Sequence, residues 1–253
     1  MTEPSGAADP ARSLALLWGD RERPARRGRH GLSVAKIVSA GLALADASGI
    51  EALSMRKVAE ALGVGTMSLY TYVPGKAELI EVMIDTVYAA VAAAETDEAG
   101  DWRARVESAA SDGFGAHMEH RWLLDVPAGR AILGPGACAK YERELSAVDD
   151  LGLDDVEMDA VTALVNGHVV ASARRAVEAA RAEARTGMTE RQWWEAHAPA
   201  LAEVADAARF PIAARVGTAA GRAHDAAYAA DGGFAFGLAR ILDGVAALLD
   251  SRR

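Results

Sequence analysis

The spacing of apolar residues is the feature that most restricts the fold, because from Ser33 onward it repeats with the period of an α-helix. Ser33 is placed to cap the first of these helices and Gly49 to end it. No segment of useful length alternates between apolar and polar residues, as a half-buried strand would. The sequence therefore predicts an all-α fold. One face of the first helix carries Val34, Ile37, Val38, Gly41, Leu42 and Ala45.

Helical spacing continues through most of the chain and is interrupted by glycine and proline. Breaks are expected at Pro127, residues 134–136, Gly187 and residues 232–233. The further predicted helices span residues 55–62, 65–73, 76–94, 102–121, 138–151, 157–185, 190–209 and 234–249.

Composition excludes several classes of protein. Hydrophobic residues make up 51% of the 253 residues, which is enough to form a core and argues against disorder. The single cysteine, Cys138, excludes a disulfide framework and a cysteine-rich zinc site. No apolar run approaches the roughly 18 residues of a membrane span, and no apolar signal core precedes the first charges. We therefore expect a cytoplasmic protein without a membrane partner.

Charge is distributed unevenly along the chain. The net charge is −9, yet residues 21–76 carry nine basic and four acidic residues. A basic front segment can face phosphate while the acidic remainder is repelled by it. Residues 1–30 have the composition of a flexible basic arm, which either contacts DNA or is a solvated leader. Residues 14–18 are an apolar exception that could dock as a short segment. The arginines of the arm are Arg21, Arg23, Arg26, Arg27 and Arg29.

Residues 54–73 have the spacing of a helix-turn-helix motif. Ala59 is small at the point where the second helix would cross the first. Gly63 lies at the chain reversal, where a left-handed backbone favours glycine. Leu69 and Tyr72 would bring the second helix onto the same core.

This packing leaves one short stretch of side chains directed outward. These side chains carry hydroxyls, a thioether and a phenol, which are unusual on a helix face that only contacts solvent. Such groups can reach base edges, thymine methyls and phosphates in a DNA groove. Ser54 can donate to a phosphate, and Arg56 and Lys76 flank the second helix as possible phosphate contacts. The alternative is an ordinary three-helix packing that binds nothing. The outward residues are Thr66, Met67, Ser68, Tyr70 and Thr71.

The stretch GIEALSMRKVAEALGVGTMSLYTYVPGKAELI resembles the DNA-binding domain of the tetracycline-repressor (TetR) family, and the likeness covers about residues 33–80. Val73 stands where many members have phenylalanine. The rear half is similar to the tetracycline-repressor type in its overall length, its Trp193-Trp194 pair and its closing helix at residues 234–249. Matching positions in the front half include the Leu69-Tyr70 pair, Tyr72 and Lys76.

The resemblance implies a role for particular residues and a domain order. It implies a homodimer on near-palindromic double-stranded operator DNA, and a small-molecule effector in the rear helices that weakens DNA binding. Thr71 replaces a bulkier polar aromatic residue, so no operator sequence is implied. Implied base-reading residues are Thr66, Met67, Ser68, Tyr70, Thr71 and Tyr72, and implied phosphate contacts are Ser54, Arg56, Tyr72 and Lys76. The domains are a basic arm at 1–30, a three-helix DNA-binding domain at 31–76, and a helical ligand-binding and dimerisation domain at 77–253.

Two apolar stripes in the rear domain allow two interpretations. They could form a four-helix bundle across a dimer axis, or both could be buried within one subunit, and periodicity does not separate these. One stripe contains Val161, Leu164, Val165, His168, Val169 and Ser172, and the other contains Phe234, Leu238, Ile241, Leu242, Val245, Leu248 and Leu249.

Polar and aromatic residues that interrupt the apolar helices are candidates for the effector pocket, since pockets are mostly apolar with a few placed polar groups. Each is also compatible with a core or surface position, and an interfacial hydrogen bond is the alternative role of Asn166 and His168. The candidates are Phe114, His117, Met118, Trp122, Tyr141, Asn166, His168, Trp193 and Trp194.

Signals for an enzyme are weak. His117 and His120 are three residues apart, but no metal-ligand motif, dinucleotide fingerprint or nucleophile elbow is present. We predict no catalytic residue, metal or cofactor, and a ligand-responsive transcriptional repressor. The alternatives are a regulator that ignores ligands or activates, and a helical enzyme or binding protein whose helix-turn-helix is only structural.

Overall fold

The computed structural model describes residues 10–19, 21, 31–94, 101–127, 131–226, 229 and 233–252. All regular elements within these ranges are helices, which confirms the predicted all-α fold. The chain divides into two compact units, residues 1–159 and residues 160–253.

The first unit holds seven described α-helices and two short 3₁₀-helices, and an eighth α-helix begins at its end. They are α1 (Pro10–Trp18), α2 (Val34–Ser48), the 3₁₀-helix Ile50–Ala52, α3 (Met55–Leu62), α4 (Thr66–Leu69), α5 (Lys76–Ala92), α6 (Trp102–Glu119), the 3₁₀-helix Arg121–Asp125, and α7 (Pro135–Ser146). Helix α8 (Asp155–Thr186) continues into the second unit, which also contains α9 (Glu190–Val204), α10 (Pro211–His224) and α11 (Phe234–Asp250).

Capping residues fix the first helices where the sequence predicts them. The Ser33 hydroxyl oxygen accepts a hydrogen bond from the backbone N–H of Lys36 at 3.3 Å, which satisfies a free donor at the start of α2. Gly49 ends that helix with φ of 79°, a value that favours glycine. Ser54 caps α3 in the same way through the N–H of Lys57. The predicted ends of both helices are therefore confirmed.

The core of the first unit is shared by α1 to α5 and one later side chain. Ile37, Val58 and Leu69 are fully buried in it, and they come from three different helices. Trp122, which follows α6, is buried in the same cluster and is only 1% exposed. The DNA-binding domain predicted at 31–76 thus shares its core with α1, α5 and the segment after α6.

Helix α1 is the apolar exception within the predicted basic arm. Its Leu17 is buried in the shared core, and the Trp18 indole N–H donates to the carbonyl oxygen of Leu133 at 2.8 Å. Arg21 pairs with the fully buried carboxylate of Asp85 on α5. Residues 10–19 and 21 therefore pack on the rest of the first unit, whereas the predicted arm arginines at 23, 26, 27 and 29 lie outside the described residues.

Helices α5 and α7 approach each other closely at two glycines. A Cβ atom at Gly136 would lie 1.9 Å from the backbone oxygen of Asp85, and one at Gly134 would lie 2.2 Å from the Asp85 carboxylate. The same carboxylate accepts a hydrogen bond from the Ala137 N–H at 2.9 Å. Asp85 thus links α7 to α5 and to the segment that follows α1.

Several helices differ from prediction. Helix α4 ends at Leu69 rather than at 73, and the chain continues in turns up to Val73, where Pro74 disfavours helical backbone. Helix α9 ends at Val204, where the Asp206 carboxylate accepts from the N–H groups of Ala208 and Arg209 and turns the chain. Helix α10, which begins at a proline as first turns permit, was not predicted. Helix α7 runs from 135 to 146 rather than 138 to 151, and α6 stops at 119 before a 3₁₀-helix.

The second unit places most of the two predicted stripes in its interior. Val165 and Val169 of α8 are buried, and so are Leu238 and Leu242 of α11. His168 connects these helices, because its Nε2 lies 2.9 Å from the carbonyl oxygen of Phe234. Some stripe residues remain exposed, among them Leu164 at 55% and Leu248 at 38%.

Candidate functional site

Helices α3 and α4 form the predicted helix-turn-helix. Gly63 adopts left-handed backbone, with φ of 66° and ψ of 30°, so the chain reverses there without strain. The next N–H, that of Val64, donates to the Ala59 carbonyl at 3.0 Å and closes the end of α3. Ala59 is itself buried, as expected for the small residue where the helices cross.

One face of the second helix is buried and the other is open. Leu69 is completely buried, whereas Met67 is 78% exposed and Tyr70 is 41% exposed. Ser68 and Thr71 are also exposed, and Thr66 and Tyr72 are half-buried. The structure therefore brings five of the predicted base-reading side chains to one short surface, which we call the reading surface: Thr66, Met67, Ser68, Tyr70 and Thr71. The sixth, Tyr72, packs against the core.

The predicted phosphate contacts differ in their exposure and in the hydrogen bonds that they already make. The Ser54 oxygen is occupied as a cap, but its hydroxyl hydrogen can still be donated. Arg56 is exposed and lies 3.6 Å from Glu60. Lys76 donates one hydrogen to the Ile50 carbonyl at 3.0 Å, and an ammonium group has two more to give. Lys57, exposed beside Arg56, was not predicted, although its position in the first turn of α3 is readable from the sequence.

The effector-pocket candidates of the first unit occupy three kinds of position. Phe114, His117 and Met118 are half-buried on neighbouring turns of α6, and His117 Nδ1 lies 2.8 Å from the Gly113 carbonyl oxygen. Tyr141 on α7 is exposed and donates to the Asp159 carboxylate at 2.8 Å, which is the main reason that its pKa is raised. Trp122 lies in the core shared with the DNA-binding domain.

The candidates of the second unit are spread over α8 and α9. Asn166 and His168 are half-buried on α8, and His168 stacks on Phe234 with ring centroids 5.9 Å apart. Trp193 is exposed and stacks on His197 at 4.2 Å. Trp194 packs so close to Gly221 of α10 that a Cβ there would lie 2.7 Å from the indole ring.

Charged side chains on α7 face α5 and α6, where an apolar face would be usual. Arg143 donates to the Asp112 carboxylate at 2.6 Å and to the Val91 carbonyl at 2.5 Å. Lys140 pairs with Glu144 and lies 5.5 Å from the centre of the Tyr88 ring. Burial, and to a lesser extent the Glu144 carboxylate, raises the pKa of Tyr88. Helix α7 thus carries two partly buried polar groups, Arg143 with Asp112 and Lys140 with Glu144 beside Tyr88.

Three residues with structural roles at this site were not among the predicted ones. Asp85 is fully buried on α5, but it lies one turn after Glu81 and two turns after Glu78, so helical spacing alone places it on the polar side of that helix. Arg21 was read only as part of the basic arm. Asp46 accepts hydrogen bonds from His120 and Trp122, and its partners lie more than seventy residues away, so no local pattern indicates them.

Two further classes of site were searched for in the described ranges. No group of three His, Cys, Asp or Glu side chains there could hold a metal ion. No helix among the described residues is both long enough and apolar enough to cross a membrane.

Comparison with known proteins assigns both halves of the chain. Residues 37–83 match the family described as bacterial regulatory proteins, tetR family, and residues 94–249 match the tetracyclin repressor-like C-terminal domain. The HTH-type transcriptional repressor DrrR1 of Streptomyces coeruleorubidus is 40% identical over 252 residues, which cover 100% of this chain and 91% of that protein. An HTH-type transcriptional regulator of Saccharopolyspora erythraea is 28% identical over 172 residues, 68% of this chain and 72% of its own.

Solved structures with a similar fold also belong to this family. Apo ActR from Streptomyces coelicolor superposes with a TM-score of 0.70 at 26% identity, over 88% of this chain and 98% of ActR. ActR in complex with actinorhodin gives a TM-score of 0.68 at 26% identity, over 86% of this chain and 98% of that one. With family matches over both halves and an exposed reading surface on its helix-turn-helix, the chain belongs to the tetR family of DNA-binding transcriptional regulators.

Proposed function

We propose that this protein is a homodimeric transcriptional repressor that binds a near-palindromic operator and leaves it when a small molecule occupies its helical C-terminal domain. The proposal includes the predicted division into a DNA-binding domain at 31–76 and a ligand-binding and dimerisation domain at 77–253. Because its partner would be chromosomal DNA, the protein would act in the cytoplasm.

The observation that carries the DNA-binding part is the reading surface. Met67 and Tyr70 are exposed while the intervening Leu69 is completely buried, so the helix is anchored and its outer side chains remain free to enter a groove. Exposed Arg56 and Lys57 adjoin it and can neutralise phosphates. The name of DrrR1, a repressor, favours repression over activation.

Dimerisation is supported by exposed apolar side chains on the two long helices of the second unit. Leu164 of α8 and Phe236 and Leu248 of α11 are exposed in the single chain, and a second chain could cover them. Two helices from each chain would then form a four-helix bundle. Effector release is supported by ActR, which has been solved in complex with actinorhodin and with (S)-DNPA.

The experiment that tests the proposal is selection of bound sequences from random double-stranded DNA, followed by titration of the selected duplex. We expect a sequence with two inverted half-sites. Tyr70→Ala should weaken binding by about tenfold or more, since one lost base contact costs roughly 1–3 kcal/mol. Phe210→Ala is the control, because Phe210 is an exposed aromatic residue that directly precedes α10 and belongs to no predicted site.

Two outcomes would contradict the proposal. If the folded protein selects no sequence at low ionic strength, it is not an operator-binding regulator. If Tyr70→Ala and Phe210→Ala bind the selected duplex equally well, the reading surface is assigned wrongly. Repeating the titration with a panel of small molecules that includes actinorhodin and (S)-DNPA tests release, and a panel that never lowers operator affinity would favour the ligand-independent alternative.

A further inference from the structure

A cluster of three side chains joins the DNA-binding domain to the end of α6. One carboxylate oxygen of Asp46, Oδ1, lies 2.8 Å from the indole Nε1 of Trp122 and 2.8 Å from Nδ1 of His120. A carboxylate has no hydrogen to donate, so both ring nitrogens must donate to it. The rings of His120 and Trp122 are in edge-to-face contact, with centroids 6.2 Å apart.

The three residues come from opposite sides of the proposed domain boundary. Asp46 lies near the end of α2, inside the DNA-binding domain. His120 is the residue directly after α6 and caps its end, and Trp122 belongs to the 3₁₀-helix that follows. The Trp122 ring is buried in the core of the DNA-binding domain, so this residue is held both through its ring and through its N–H group.

This cluster attaches the DNA-binding domain to the end of α6, in addition to the core that the domain shares with α1 and α5. An attachment at a different place from α5 resists small rotations of the domain on that shared core. Apolar contacts of the Trp122 ring depend little on direction, whereas hydrogen bonds weaken steeply with angle. Asp46 therefore supplies the directional part of the attachment, and its charge strengthens both bonds.

We infer that Asp46 is a positioning residue that sets which half-site spacing the protein accepts. It fixes the orientation of each DNA-binding domain on the end of α6, and so restricts the separation of the two reading surfaces in the dimer. One inserted base pair shifts a half-site by about 3.4 Å and rotates it by roughly 35° around the DNA axis, a change that rigidly held domains cannot follow. This inference rests on the proposed function, because it requires a dimer on an operator with two half-sites.

The test uses the operator selected by the full-length protein, together with duplexes in which one base pair is inserted or removed between the half-sites. Affinity is measured by fluorescence anisotropy at one fixed salt concentration, and folding is checked by circular dichroism. The measured quantity is the ratio of affinities for the selected and altered spacings. The variants are Asp46→Ala, Asp46→Asn, and Ser48→Ala, an exposed control on the same helix.

We expect Asp46→Ala to lower this ratio by about tenfold, because it removes two charge-assisted hydrogen bonds. Asp46→Asn should keep most of the ratio, since its amide oxygen can accept both bonds, and Ser48→Ala should match the unaltered protein. If Asp46→Ala unfolds, His120→Phe removes one donor but keeps a ring, and it should lower the ratio in the same direction.

The possible results distinguish an error in this inference from an error in the proposed function. A ratio unchanged in folded Asp46→Ala, or an equal loss of affinity at every spacing, would show that Asp46 only stabilises the fold and would overturn the inference. Failure of the unaltered protein to bind any duplex with two half-sites would instead overturn the proposed function.

Discussion

The close contact between α5 and α7 can be tested by replacing Gly136 with alanine. The added Cβ would lie 1.9 Å from the backbone oxygen of Asp85 and 2.9 Å from the backbone nitrogen of Ala89. Both atoms belong to the backbone of α5, so no side-chain rotation relieves the overlap. The two helices would have to separate by more than an ångström, which also pulls the Ala137 N–H away from the Asp85 carboxylate.

The expected cost follows from this geometry. Overpacking in an interior costs about 1–3 kcal/mol, and a lost hydrogen bond to a buried charged group adds about 1.5–3 kcal/mol. Alanine recovers up to about 1 kcal/mol through its higher helix propensity. Together these terms predict that Gly136→Ala lowers the free energy of unfolding by about 1.5–6 kcal/mol.

Gly115→Ala is the matched control. Gly115 lies inside α6, and a Cβ there would meet nothing within 4 Å. This variant should raise the free energy of unfolding by about 0.5–1 kcal/mol. Both are measured by urea unfolding followed by circular dichroism, with linear extrapolation to water. If Gly136→Ala is as stable as Gly115→Ala, the close approach of α5 and α7 is not a fixed part of the fold.

Two further predictions concern buried polar groups. Arg21→Ala should lower the free energy of unfolding by about 3 kcal/mol because it leaves the Asp85 charge without its cation. The double variant Arg21→Ala, Asp85→Asn should lose less than the two single changes together, and strict additivity would argue against the ion pair. Because the pKa of Tyr88 is raised above its ordinary value of 10.0 by burial and then by Glu144, its proton is held more tightly in the folded state. The associated stability is complete below pH 10 and is lost as pH rises through the raised pKa, so Tyr88→Phe should decline less steeply in alkaline unfolding titrations, and equal slopes would count against this role.

Local signals explain the parts of the fold that the sequence predicts well. Ser33, Gly49, Ser54 and Gly63 each act through their own backbone or through atoms three residues away, and all four lie where the pattern places them. The exposed side of α4 follows equally directly, because a four-residue helix with one buried leucine has few ways to orient its other side chains.

The parts that were missed depend on contacts between distant residues. Helical periodicity marks Trp122 as an interruption of an apolar pattern, but does not say that its ring enters a core formed eighty residues earlier. The end of α9 was missed for a different reason, because one carboxylate, that of Asp206, competes with the helix for backbone N–H groups. The effector-pocket candidates lie in both units and stay predictions.

The burial of Trp122 affects how the regulator can be recombined with its relatives. A chimera joined after α5 would place a foreign side chain in the slot that this indole fills, and would leave the Asp46 carboxylate without its donors. Exchange of sensing modules between tetR-family proteins should therefore keep residues 120–125 together with the DNA-binding segment from which they are separated in the sequence. The unit that can be exchanged therefore has to respect this contact. Joining two chains at a single position does not preserve it.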